Sequence, residues 1–102
     1  MPALLVDLAA RRVHVRGREV HLTRSEFDLL AALGRRPSAV VSKDDLARAV
    51  GAEPGRAGHR AVEVHIANLR RKLGDGRDHP PTIRTVRGRG YLLEREAAEF
   101  VR

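Results

Sequence analysis

The chain has 102 residues, which suits one domain with a modest core and leaves no room for two. Hydrophobic residues make up 42% and charged residues 32%, a globular balance that excludes a disordered chain. Cysteine is absent, which excludes disulfides and thiolate metal sites and fits a reducing compartment such as the cytoplasm. No apolar run is longer than Leu29 to Leu33, so no membrane span is expected, and no secretory signal opens the chain. The net charge is +7, and its location matters more than its size. Between Arg56 and Arg89 there are nine Lys/Arg against Glu63, Asp75 and Asp78. That concentration points to a polyanionic partner, either nucleic acid or an anionic membrane surface.

Residues 3–22 alternate over short runs, "ALLVDL", "RRVHVRG" and "REVHL", with a turn at Arg16-Gly17-Arg18. This predicts a small antiparallel sheet. "LTRSEFDLL" then opens a first helix. Thr23 is its cap, Glu26 completes a capping box, and Leu22 with Phe27 forms a hydrophobic staple. The helix is expected to run to about Leu33, before Gly34-Arg35-Arg36-Pro37. The same grammar recurs in "VVSKDDL", with Ser42 as cap, Asp45 in the box position, and Val41 and Leu46 as staple. That second helix is short and stops at Gly51, and 51–58 reads as a turn-rich loop.

A third helix is expected over "AVEVHIANLRRKLG", Ala61 to Gly74, with the glycine in C-terminal position. Val62, Ile66, Leu69 and Leu73 recur in steps of four and three and form one core-facing stripe. About half a turn away lie Arg60, Val64, Ala67, Asn68 and Arg71. This second face has the residue types that reading a DNA major groove requires. Asn68 can pair with an adenine edge, and Arg71 can reach guanine or phosphate. Val64 and Ala67 suit a thymine methyl and close approach, while Arg60, near the expected helix start, suits a phosphate. The helix lacks the Ser/Thr/Asp cap of the other two, so its free N–H groups can meet a phosphate, unless Gly58 or His59 caps it. Arg70 and Lys72, in the last turn, are the cations that a helix dipole favours.

After a polar loop with Pro80-Pro81, "TIRTV" and "GYLLE" flank Arg87-Gly88-Arg89. This is a hairpin whose basic tip suits the enhanced negative potential of a minor groove. Residues 95–102 form a tail beyond a domain of residues 1–94, read either as a helical turn or as disorder. The order sheet, three helices, hairpin is an α+β winged helix-turn-helix. Catalysis finds no support: the five histidines have no ligand spacing, no nucleophile–base pair stands out, and "GRGYLL" has Leu93 where a phosphate loop needs glycine. Neither a cofactor nor a metal is expected. Single-strand binding is disfavoured because Phe27, Tyr91 and Phe100 are too few and scattered to form a stacking platform. General duplex binding and a protein-interaction module remain the alternatives to sequence-specific double-stranded DNA binding.

"HLTRSEFDLL", "VVSKDDL", "AVEVHIANLRRKLG" and "IRTVRGRGYLL" together resemble the successive motifs of the OmpR/PhoB-type winged-helix effector domain of bacterial response regulators. The resemblance runs from about Leu4 to Leu93. It implies an N-terminal four-stranded sheet, a three-helix bundle and a C-terminal hairpin wing, with transcriptional regulation as the role. It implies that the third helix reads the major groove through Arg60, Val64, Asn68 and Arg71, and that Arg87 is the wing arginine. Tyr91 matches a position that can contact phosphate, although a packed strand residue is an equal reading. An RNA polymerase contact through the 51–58 loop and head-to-tail pairing on DNA are also implied. The chain departs from the pattern in lacking a Trp near the end of the second helix, in a loop shorter by about one residue, in Ala61 where a hydroxyl is common, and in Asn68 where a basic residue is frequent. These departures bear on the operator sequence and the polymerase contact. The usual receiver domain is absent, as in an excised effector domain or a stand-alone regulator.

Overall fold

A computed structural model describes residues 3–74 and 82–102, so the polar loop containing Pro80 and Pro81 lies outside the described residues. Three short strands open the chain: β1 (Leu4–Asp7), β2 (Arg12–Val15) and β3 (Arg18–Val20). They pair antiparallel, with Val6 opposite Val13 and Val13 opposite Val20. Leu4, Val6 and Val13 turn inward and are buried, whereas Leu5 faces outward, as the two-residue period of a strand requires.

The fourth strand is not N-terminal. Residues 95–97 make a single 3-10 turn, and β6 (Ala98–Val101) then adds to the sheet in parallel with β1, giving the order β3-β2-β1-β6. The antiparallel sheet expected over residues 3–22 is therefore present, and part of the segment read as a tail, 98–101, adds a parallel strand to it. Its physical anchor is Phe100, whose ring lies against the Cα of Gly34, a place any larger residue would fill.

α1 (Arg24–Gly34) carries the expected capping box. Thr23 Oγ1 accepts from the Glu26 N–H at 3.2 Å, and Glu26 Oε1 accepts from the Thr23 N–H at 2.9 Å. Phe27, Leu29, Leu30 and Leu33 are buried beneath it. α2 (Lys43–Ala49) is capped by Ser42, which accepts from the Asp45 N–H at 3.1 Å. The return half of that box is replaced: the Asp45 carboxylate, one methylene shorter than Glu, pairs with Arg48 at 2.9 Å.

α3 spans Arg56–Leu73, starting five residues earlier than the sequence pattern predicts. The loop before it is correspondingly shorter than 51–58, and Arg60 lies one turn inside the helix. Two features hide this start. The cap residue is Gly55, with φ 108°, so no side chain of its own closes the helix end. The buried Gly58, which looks like a turn residue, is required by packing: a Cβ there would overlap the Glu53 carbonyl and crowd the Ala47 methyl. α3 therefore rests closely on α2, with Val62, Ile66 and Leu69 at 0–1% exposure.

β4 (Ile83–Val86) and β5 (Gly90–Leu93) form the predicted hairpin, with Val86 opposite Gly90. The hairpin is tied back to the helices by a bridge between Tyr91 and Val41, with N–H to carbonyl distances of 3.0 and 2.7 Å. Gly90, at φ 146°, permits this approach, since a Cβ would strike the Val41 carbonyl. Among the described residues no helix is long and apolar enough to cross a membrane, and no group of His, Asp and Glu is arranged to hold a metal.

Candidate nucleic-acid interface

The buried stripe of α3 fixes the helix on the bundle and leaves its opposite side free. Arg60, Val64, Ala67 and Arg71 are exposed, and Asn68 is half-buried at the edge of the same face. Val64 is 55% exposed, a large apolar side chain held mostly in solvent. Arg87 and Arg89 are exposed at the wing tip, where Arg89 N–H closes the turn onto the Val86 carbonyl at 2.9 Å. The predicted residues of the helix face and of the wing tip are thus presented to solvent.

Tyr91 is the exception, at 5% exposure. Its backbone belongs to the bridge with Val41, and its ring lies beneath the Arg70 guanidinium, 5.5 Å from carbon to centroid. Of the two readings of Tyr91, the packed strand residue describes its place. Arg70 also differs from its expected role as a helix-end cation. Its Nε and Nη2 donate to the Ile83 carbonyl at 3.2 and 2.9 Å, and Nη2 also donates to Thr85 Oγ1 at 2.7 Å. Lys72 likewise points inward: its ammonium donates to Glu26 Oε1 at 2.7 Å. Burial pushes the Glu26 carboxyl up, but the Lys72 ammonium and the Thr23 N–H outweigh it and hold the pKa below the ordinary glutamate value.

Five further side chains, Ser42, Lys43, Asp44, His59 and Glu63, were absent from the predicted site and cluster near the start of α3. Ser42, Lys43, Asp44, His59, Gly88 and Arg89 line a cleft of about 260 Å³ where α2, α3 and the wing tip converge. Lys43 donates to Glu63 Oε2 at 2.9 Å, which raises the lysine pKa and lowers that of the acid. Asp44 Oδ1 accepts from the Gly55 N–H at 3.2 Å and meets His59 Nε2 at 2.6 Å. The His59 contact, then the Gly55 N–H, lowers the Asp44 pKa. The N-terminus of α3 is therefore not bare: a carboxylate from α2 already stands there, and an incoming phosphate would meet it. No sequence signal pairs Asp44 with Gly55 and His59, which lie 11 and 15 residues away. Nor does the sequence pair Glu63 with Lys43, 20 residues away.

Comparison with known proteins agrees with this geometry. The family described as transcriptional regulatory protein, C terminal, matches residues 17–93. The transcriptional regulatory protein CpxR of Escherichia coli is 38% identical over 91 residues, which cover 89% of this chain and 39% of that protein. The chain thus spans well under half the length of the curated relatives it matches. The crystal structure of the DNA-binding domain of Escherichia coli CpxR superposes with a TM-score of 0.81 at 36% identity, covering 95% of each chain. That of the Klebsiella pneumoniae RstA DNA-binding domain in complex with RstA box gives a TM-score of 0.80 at 33% identity, covering 90% of this chain and 91% of that one. By motif order, fold and family match, this chain belongs to the OmpR/PhoB-type C-terminal DNA-binding domains of transcriptional regulatory proteins.

Proposed function

We propose that the chain binds double-stranded DNA at specific sequences and thereby regulates transcription, acting in the cytoplasm without catalysis or cofactor. The observation that carries this reading is the exposed face of α3. Its underside is sealed into the core while Val64 and Arg71 stand exposed and Asn68 lies half-buried at the edge of the same face, as suits a helix lying in a major groove. The RstA domain was crystallised with its DNA box, which supports the same role for a chain of this likeness. Arg87 and Arg89 extend the contact to the adjacent minor groove, where A·T-rich sequence concentrates negative potential. Phosphate contacts from Arg60, Lys43 and Arg89 supply most of the affinity, and the α3 face supplies discrimination. The turn between α2 and α3 is the surface left for an RNA polymerase contact, and a second copy would pair head-to-tail on repeated sites.

Selection of duplexes from a random pool tests the proposal. It should enrich one motif beside an A·T-rich flank. A pool that binds but shows no enrichment would leave general duplex binding as the function.

A further inference from the structure

We propose that Arg70 is a positioning residue that locks the wing to α3 and so sets the spacing between the two groove contacts. This rests on the reading of α3 and the wing as one DNA-binding surface. The wing's hairpin has only two strands, and such ribbons are marginal alone in water. Its β5 strand is held by the Val41 bridge. Its β4 strand is held by Arg70, which reaches 13 residues along the chain to the Ile83 carbonyl and 15 to Thr85 Oγ1. The same guanidinium lies over the Tyr91 ring, so a single planar group touches both strands of the hairpin.

The donor geometry suits Arg and not Lys. Nε and Nη2 share one carbonyl while Nη2 also serves a hydroxyl, an arrangement that needs a planar fork. These contacts take up Nε and Nη2 and turn the head group toward the wing. Arg71, its neighbour on α3, is exposed and makes no such contact among the described residues, so two adjacent arginines divide the work. Arg71 faces the groove; Arg70 holds the element that enters the next one.

The test compares Arg70→Met, Arg70→Lys, Thr85→Val, Arg87→Ala and the double variant Arg70→Met with Arg87→Ala. Amide hydrogen exchange without DNA is read beside duplex affinity as a function of salt. Arg70→Met should speed exchange at the Arg89 and Tyr91 amides at least tenfold while α3 amides keep their protection. Lys should restore little of it, and Thr85→Val should reproduce part of the loss from the wing side. Affinity should fall about tenfold, the scale of losing charge-assisted hydrogen bonds, with an unchanged salt slope. In the Arg87→Ala background the same substitution should cost under about twofold, because the contact it positions is already gone. A salt slope reduced by about one unit with wing exchange unchanged would make Arg70 a direct phosphate ligand and overturn the proposal. Equal losses in both backgrounds would overturn it as well. Should Arg87→Ala alone leave binding unchanged, the wing reading itself fails, while the exchange data still judge whether Arg70 holds the hairpin.

Discussion

Lys72 Nζ lies 2.7 Å from Glu26 Oε1, joining the last turn of α3 to the first turn of α1. Glu26 is 3% exposed and also closes its own capping box, so one carboxylate both starts α1 and anchors α3. Removing Lys72 leaves that acid buried with its box alone. Lys72→Met should cost about 2–3 kcal/mol of stability, below a fully buried pair because the lysine is partly exposed. Chemical denaturation checks this, and a midpoint unchanged from the parent would show the pair to be dispensable.

The same pair sets an acid limit. The Glu26 pKa is lowered in the folded chain, so its contribution is fully present above the unfolded glutamate value, near pH 4.3. It is lost as pH falls through the lowered folded value. Thermal midpoints should therefore drop as pH falls below the ordinary glutamate value, and Glu26→Gln should flatten that part of the profile. An equally steep profile in the variant would assign the acid sensitivity elsewhere.

Gly58→Ala should be destabilising although alanine is the better helix former. The added methyl meets the Glu53 carbonyl and the Ala47 side chain, an overpacking penalty of about 1–3 kcal/mol. Denaturant midpoints of the two proteins decide it. A stabilised variant would mean that the α2–α3 contact can yield.

Glu63→Gln should leave folding nearly unchanged, because the side chain is about half exposed. It should tighten binding to unrelated duplexes severalfold. Lys43 is then free for a phosphate, and the slope of log affinity against log salt should steepen by about 0.9. Titrations at several salt concentrations measure both, and an unchanged slope would place Lys43 outside the interface.

These residues also show where the sequence was readable. The start of α1 was legible because Thr23, Glu26, Leu22 and Phe27 act within a few residues of one another. The two faces of α3 were legible because helical periodicity alone separates Val62, Ile66 and Leu69 from Val64 and Arg71. Its true start was not, because Gly55 and Gly58 resemble turn residues and their partners, Asp44 and Ala47, belong to α2. The strand at 98–101 was hidden for the same reason, since its ladder is formed with residues 4–7 at the other end of the chain. Arg70 and Lys72 looked like helix-end cations until the wing and Glu26 came within reach of them.

The most direct test of DNA reading by α3 is the affinity of Asn68→Ala for a set of duplexes in which each base pair of the selected site is changed in turn. The loss should be roughly 1–3 kcal/mol, confined to one base pair, with the other positions discriminated as before. A uniform loss over every duplex, or none, would contradict the placement of this helix face in the major groove.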